Sequence, residues 1–149
     1  MSVNQRLRGE SKVQFLETAR ELHLEIIKLA TTIPKKYTFY ISQILVKSAA
    51  TIHAHAKRGN SIFATNSHER QLRRECFIMA YAECQNLSSQ LDVAYELSAF
   101  TSEELPTDSE KERKNKQEKQ KKLTKRIIRI MELVDTELKL LKGVLDKSK

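Results

Sequence analysis

Three glycines and two prolines in 149 residues leave this chain few means of making tight turns, and the breakers that matter, Pro34, Gly59 and Pro106, divide it into four segments of helical periodicity. Apolar residues make up 40% of the chain, enough for a single modest core, and Trp is absent. The composition favours helix throughout. The expected fold is an all-α, antiparallel, up-down four-helix bundle forming one domain over residues 1–149, with helices at about 10–31, 38–58, 67–98 and 109–147.

In the first segment Phe15, Ala19, Leu22, Ile26, Leu29 and Ala30 share one stripe, and Ile33-Pro34-Lys35-Lys36 ends it. The second aligns Ile41, Ile44, Leu45, Ser48, Ala49, Ile52 and Ala56, with small residues permitting close helix approach and Gly59-Asn60 expected to close it in a left-handed cap. Asn66-Ser67-His68-Glu69 is a capping box for the third helix, whose predicted inward residues are Leu72, Cys76, Met79, Ala80, Leu87, Leu91 and Ala94. Thr107 and Glu110 have the same spacing at the start of the fourth.

The fourth segment carries a stripe of Leu123, Ile127, Ile130, Met131, Val134, Leu138, Leu141 and Leu145, but nothing apolar from Thr107 to Lys122. That first half has nothing to bury, so residues 107–122 are expected to be either a solvated helical overhang or disordered. At about 1.5 Å per residue, helix from Ser109 would exceed roughly 50 Å, against roughly 30 Å for the first two helices.

The charge is concentrated in the same place. The chain carries a net +8, and between Lys111 and Arg129 stand ten cations (Lys111, Arg113, Lys114, Lys116, Lys119, Lys121, Lys122, Lys125, Arg126, Arg129) against Glu112 and Glu118, so the remainder is neutral. A block of this kind neutralises phosphates and releases counterions, which gives salt-dependent binding of RNA or DNA with little sequence preference. The competing reading is a solubilising linker. Lys35, Lys36, Lys57 and Arg58, at helix ends, are expected to widen the patch.

On the third helix Arg70, Arg74, Phe77, Tyr81 and Tyr95 fall opposite the predicted core stripe. Such a face stacks bases or buries against another subunit, unless a wide core covers it. Leu133, Leu140 and Val144 form an off-core stripe on the fourth helix, and with Phe77, Tyr81 and Tyr95 they are the candidate oligomer interface.

No phosphate-binding loop, nucleophile elbow or H-E-x-x-H occurs, so no catalytic residues are assigned and an enzyme is not expected. His53 and His55 point about 200° apart on a helix, and Cys76 and Cys84 lie on different faces, so neither a metal site nor a cofactor is expected. Glu83 falls on the predicted inward stripe and needs a partner there. The N-terminus lacks an apolar signal region and the longest apolar run, Cys76–Ala82, is too short to span a bilayer; a cytoplasmic location with free thiols and no membrane partner is the expectation.

The run LATTIPKKYTF, followed by ISQILVKSAATIHAHAKRGNSIF and then ERQLRREC, resembles the accessory variability determinants of diversity-generating retroelements and the related four-helix bundles encoded in ribosomal RNA intervening sequences. The similarity covers roughly residues 13–97, with Ile33 to Tyr37 and Phe39 its best local match. The resemblance implies a homopentameric, non-catalytic accessory protein that binds template RNA or DNA and associates with a reverse transcriptase in mutagenic retrohoming. It further implies that Pro34, Lys35 and Lys36 form the family's turn and that Arg70, Arg73 and Arg74 are third-helix cations for nucleic acid. The intervening-sequence relatives imply the alternative, a structural or protein-interaction bundle without a nucleic-acid role.

Overall fold

The computed structural model describes residues 13–98 and 105–147. Four helices make up the fold: α1 (Gln14–Thr32), α2 (Gln43–Ser61), α3 (Ser67–Ser98) and α4 (Glu110–Lys147), with no strand among the described residues. The expected start of the first helix at residue 10 lies outside the described residues. Each helix packs against two others in the circuit α1–α2–α3–α4–α1, the arrangement of a four-helix bundle. Two contacts fix the antiparallel sense: Gly59 near the end of α2 meets Cys76 and Phe77 near the start of α3, and Arg74 in α3 reaches Leu145 at the end of α4.

Local chemistry sets the ends. Pro34 stops α1, leaving Ile33 extended at φ −76° and ψ 135°, and the Thr31 and Thr32 hydroxyls donate to the Lys28 and Leu29 carbonyls at 2.7 Å. The chain re-enters helix through a tight 3₁₀ turn, Lys35–Tyr37, and a wide π turn, Thr38–Ser42. The box at α3 forms as the sequence predicts: Asn66 Oδ1 accepts from the Glu69 amide at 2.8 Å, and the Asn66 and Thr65 side chains donate to Glu69 Oε1. At α4 the box uses Ser109 and Glu112 instead of Thr107 and Glu110 (Glu112 N to Ser109 Oγ, 3.1 Å), because the helix begins only at Glu110.

Gly59 is not a left-handed cap. No glycine among the described residues has a positive φ, and α2 continues to Ser61. A Cβ at Gly59 would lie 2.6 Å from Phe77 Cε1, so the glycine is a notch that admits the Phe77 ring. That ring is fully buried and meets Phe15 edge-on, with centroids 5.3 Å apart. Phe77, predicted on an outer contact face, is therefore a core residue.

The predicted inward residues Cys76, Ala80, Leu87, Leu91 and Ala94 are buried, joined by Phe77, Cys84 and Ser98. From Phe77 onward the buried positions of α3 alternate three and four apart, as do Ile127, Ile130, Val134, Glu137 and Leu141 on α4. Each fully buried large apolar side chain contributes roughly 1.5–3 kcal/mol. Leu72 and Met79, predicted inward, are displaced to exposed positions, and Ile44 on α2 is exposed as well. Tyr81, Leu133, Leu140 and Val144 flank the core and pack partly against it, whereas Tyr95 is exposed.

Leu123 is the first residue of α4 that packs on the core, and residues 110–122 continue the same helix for about 20 Å beyond it. The overhang is thus helical.

Candidate nucleic-acid interface

The α4 overhang starts on a fixed footing. Asp108, just ahead of the helix, accepts from the Leu105 amide at 2.8 Å and from Lys116 Nζ at 2.7 Å. The Lys116 hydrogen bond, then that of Leu105, holds the Asp108 carboxyl below its ordinary range. Lys116 is tied across the first turns of α4, and the cations beyond it are left facing outward.

Those cations surround one groove. Lys116, Lys119, Lys122, Lys125, Arg126 and Arg129 line a cavity of about 690 Å³ with Gln120, Leu123, Thr32 and Pro34, so α4 forms one wall and the end of α1 the other. No acidic side chain among the described residues lines it. Cationic side chains around a concavity favour anions such as phosphate oxygens. Lys111, Arg113, Lys114 and Lys121 are exposed on the same helix but outside the groove lining.

The α1–α2 turn adds Lys35 and Lys36, both exposed and directly after Pro34; Lys36 Nζ lies 5.0 Å above the Tyr37 ring. Phe39 and Tyr40 follow, 73% and 77% exposed. Sequence periodicity did not single them out as surface aromatics, because the π turn that carries them departs from the regular helical period by which buried and exposed faces are read.

The remaining candidates are elsewhere. Lys57 and Arg58 sit in the last turns of α2 and Arg70, Arg73 and Arg74 in the first turns of α3, at the opposite end of the bundle from Pro34 and the groove. The expected single patch is two separate sets, since antiparallel α2 carries its two ends apart by about 1.5 Å per residue. Within the distant set, Arg73 lies over the Phe77 ring at 5.5 Å, and Arg74 donates to the Leu145 carbonyl.

Glu83 is half-buried on the flank of α3 and accepts from Ser48 Oγ at 2.5 Å and from Asn86 at 3.2 Å. The core acid is Glu137, fully buried with neither carboxylate oxygen hydrogen-bonded; burial raises its pKa to about 8. The three-and-four alternation of α4 was the signal for it, hidden by the more conspicuous Leu138. Cys84 is buried, and burial, with Glu137 next, pushes its thiol up to about 12, so it is a packing residue rather than a nucleophile. No group of three or more metal-ligating side chains occurs among the described residues, and no helix there is long and apolar enough to cross a membrane.

Compared with known proteins, the chain matches no family model, no curated protein and no solved structure.

Proposed function

We propose that this protein is a non-catalytic nucleic-acid-binding protein that holds RNA or DNA by its phosphate backbone in the groove along α4. The observation that carries the reading is the convergence of Lys116, Lys119, Lys122, Lys125, Arg126 and Arg129 on one concavity, in the stretch that holds the whole net charge of the chain. Lysine and arginine heads bind phosphates without reading bases, so affinity is set by salt rather than by sequence. The resemblance of its turn and second helix to retroelement accessory proteins extends the reading: the partners are a reverse transcriptase and its template RNA, the working form is a homopentamer and the setting is cytoplasmic.

Binding of the purified protein to labelled RNA and DNA over a salt series tests the proposal. If the five groove cations other than Lys116, which Asp108 holds, contact phosphates, the slope of log affinity against log salt is about −3.5 to −4.5. A second reading, a protein-interaction bundle, draws on Phe63, 84% exposed, and on Met79 and Val93, each more than half exposed. Under that reading the protein self-associates or captures a protein partner while failing to retain nucleic acid at low salt.

A further inference from the structure

The basic groove accounts for the phosphates of a ligand but not for Phe39 and Tyr40. These are the first residues after the Pro34–Lys36 turn to point outward with large rings, and each is roughly three-quarters exposed. They sit in the π turn Thr38–Ser42, which buries Ile41 and Ser42 and leaves both preceding aromatics outside. A π turn is rare relative to an α turn and is found frequently at functional sites. Tyr37, by contrast, is half-buried against the core with Lys36 over its ring, so it belongs to the fold.

Pro34 is a groove wall, and the turn carrying Phe39 and Tyr40 follows it directly, so both rings are at the same end of the bundle as the cations, outside the groove lining itself. Cations that track a backbone beside aromatic platforms form the recurring arrangement for single strands, whose unpaired bases present free π faces. A duplex hides those faces within its own stack and would leave both rings in water. From Lys116 to Arg129 the groove runs about 20 Å along α4, enough for several nucleotides.

We infer that the ligand is single-stranded nucleic acid, its phosphates in the α4 groove and its bases stacked on Phe39 and Tyr40 at the α1–α2 turn. This rests on the nucleic-acid reading above and narrows it to unpaired strands. Because stacking is sequence-tolerant, oligouridine and oligoadenine both bind.

The test uses the full chain and three labelled probes of equal length: an RNA single strand, the same strand with abasic sites throughout, and an RNA duplex. Fluorescence anisotropy compares the wild type with Phe39→Ala/Tyr40→Ala and with Lys122→Glu/Arg126→Glu, each checked for native helicity and melting temperature. Since the chain has no Trp, Phe39→Trp supplies a local reporter, quenched when a base stacks on it. The expected result is tighter binding of the single strand than of either other probe, with a loss of at least about tenfold in the aromatic double variant for that probe only.

Equal binding of all three probes, or no effect of the aromatic variant, overturns the stacking inference and leaves the backbone-binding function standing. Failure to bind any probe, with the charge-reversed variant indistinguishable from wild type, overturns both. Loss of an oligomer in the aromatic variant, seen by sedimentation without loss of single-strand affinity, assigns Phe39 and Tyr40 to a subunit contact and overturns the inference as well.

Discussion

The Nη1 atom of Arg74 donates a 2.8 Å hydrogen bond to the carbonyl oxygen of Leu145, fastening the start of α3 to the end of α4. The last carbonyls of a helix have no partner within it, and a guanidinium there also complements the negative end of the helix dipole. Arg74 is thus a clasp on the bundle rather than a free cation on an interaction surface.

Arg74→Ala is expected to lower stability by about 1–2 kcal/mol, the range for a charge-assisted hydrogen bond at a helix terminus, and to leave nucleic-acid affinity unchanged. Chemical denaturation and anisotropy on the same preparations check both halves. Intact stability with weakened binding would return Arg74 to the ligand surface.

Gly59 and Gly143 make a matched pair. Alanine at 143 meets nothing within 4 Å and gains about 0.5–1 kcal/mol of helix propensity. Alanine at 59 makes the same local gain, but its Cβ would stand 2.6 Å from Phe77, and overpacking of that kind costs about 1–3 kcal/mol. The prediction is opposite signs: Gly143→Ala melts higher, Gly59→Ala lower. The Gly59 penalty shrinks in a Phe77→Leu background, which a double-mutant cycle measures directly.

Glu137 makes stability depend on pH in an unusual direction. Its carboxyl has a pKa of 4.5 when unfolded and about 8 when buried, so the folded chain retains a proton that the unfolded chain releases. The associated stability is complete below pH 4.5 and is lost as pH rises through about 8. The span corresponds to roughly 3–5 kcal/mol. Glu137→Leu is expected to raise stability at neutral pH and to abolish this decline between pH 4.5 and about 8; unfolding titrations between mildly acid and alkaline pH decide it. A flat wild-type profile would mean the carboxylate has a partner in solution.

His53, in contact with His23, works the other way. Their Nδ1 atoms lie 3.2 Å apart across α1 and α2, an arrangement that needs at least one neutral ring. Burial first, then the charges of His23, Lys57 and Arg20, hold the His53 imidazole below its ordinary 6.5, with Glu17 acting in the opposite sense. A depressed folded-state pKa means that this contribution is full above 6.5 and is lost as pH falls below it. His53→Gln should flatten the acid side of the profile in a Glu137→Leu background, where the opposing titration is gone. NMR titration of the His53 ring reports the depressed pKa, and an unshifted value would contradict it.

Much of the fold was legible because its signals are local. Pro34, the Asn66–Glu69 box and the apolar stripe of α1 each act within a few residues, and the bundle and the extent of α3 follow from them. The α3 stripe was legible in Cys76, Ala80, Leu87, Leu91 and Ala94, all buried as expected, but the inward seating of Phe77 was not, because it depends on the notch at Gly59, a residue on another helix. Glu137 was hidden for a related reason: a carboxyl at a core position breaks the apolar pattern by which core positions are found. At the site, the cations of α4 could be read from sequence, but their division into groove-lining and outward-facing sets could not. Nor could the separation of Lys57, Arg58 and Arg70 from them, which is a product of antiparallel packing.

The central claim is that the α4 groove binds nucleic-acid phosphates, and the most direct measurement is a salt-series anisotropy titration of wild type against Lys119→Glu/Lys122→Glu/Arg126→Glu. The account predicts tight wild-type binding at low salt that weakens steeply as salt rises, and a charge-reversed variant that remains folded but binds far more weakly with a shallower salt slope. No wild-type binding at low salt, or binding indifferent to the reversal, would contradict it.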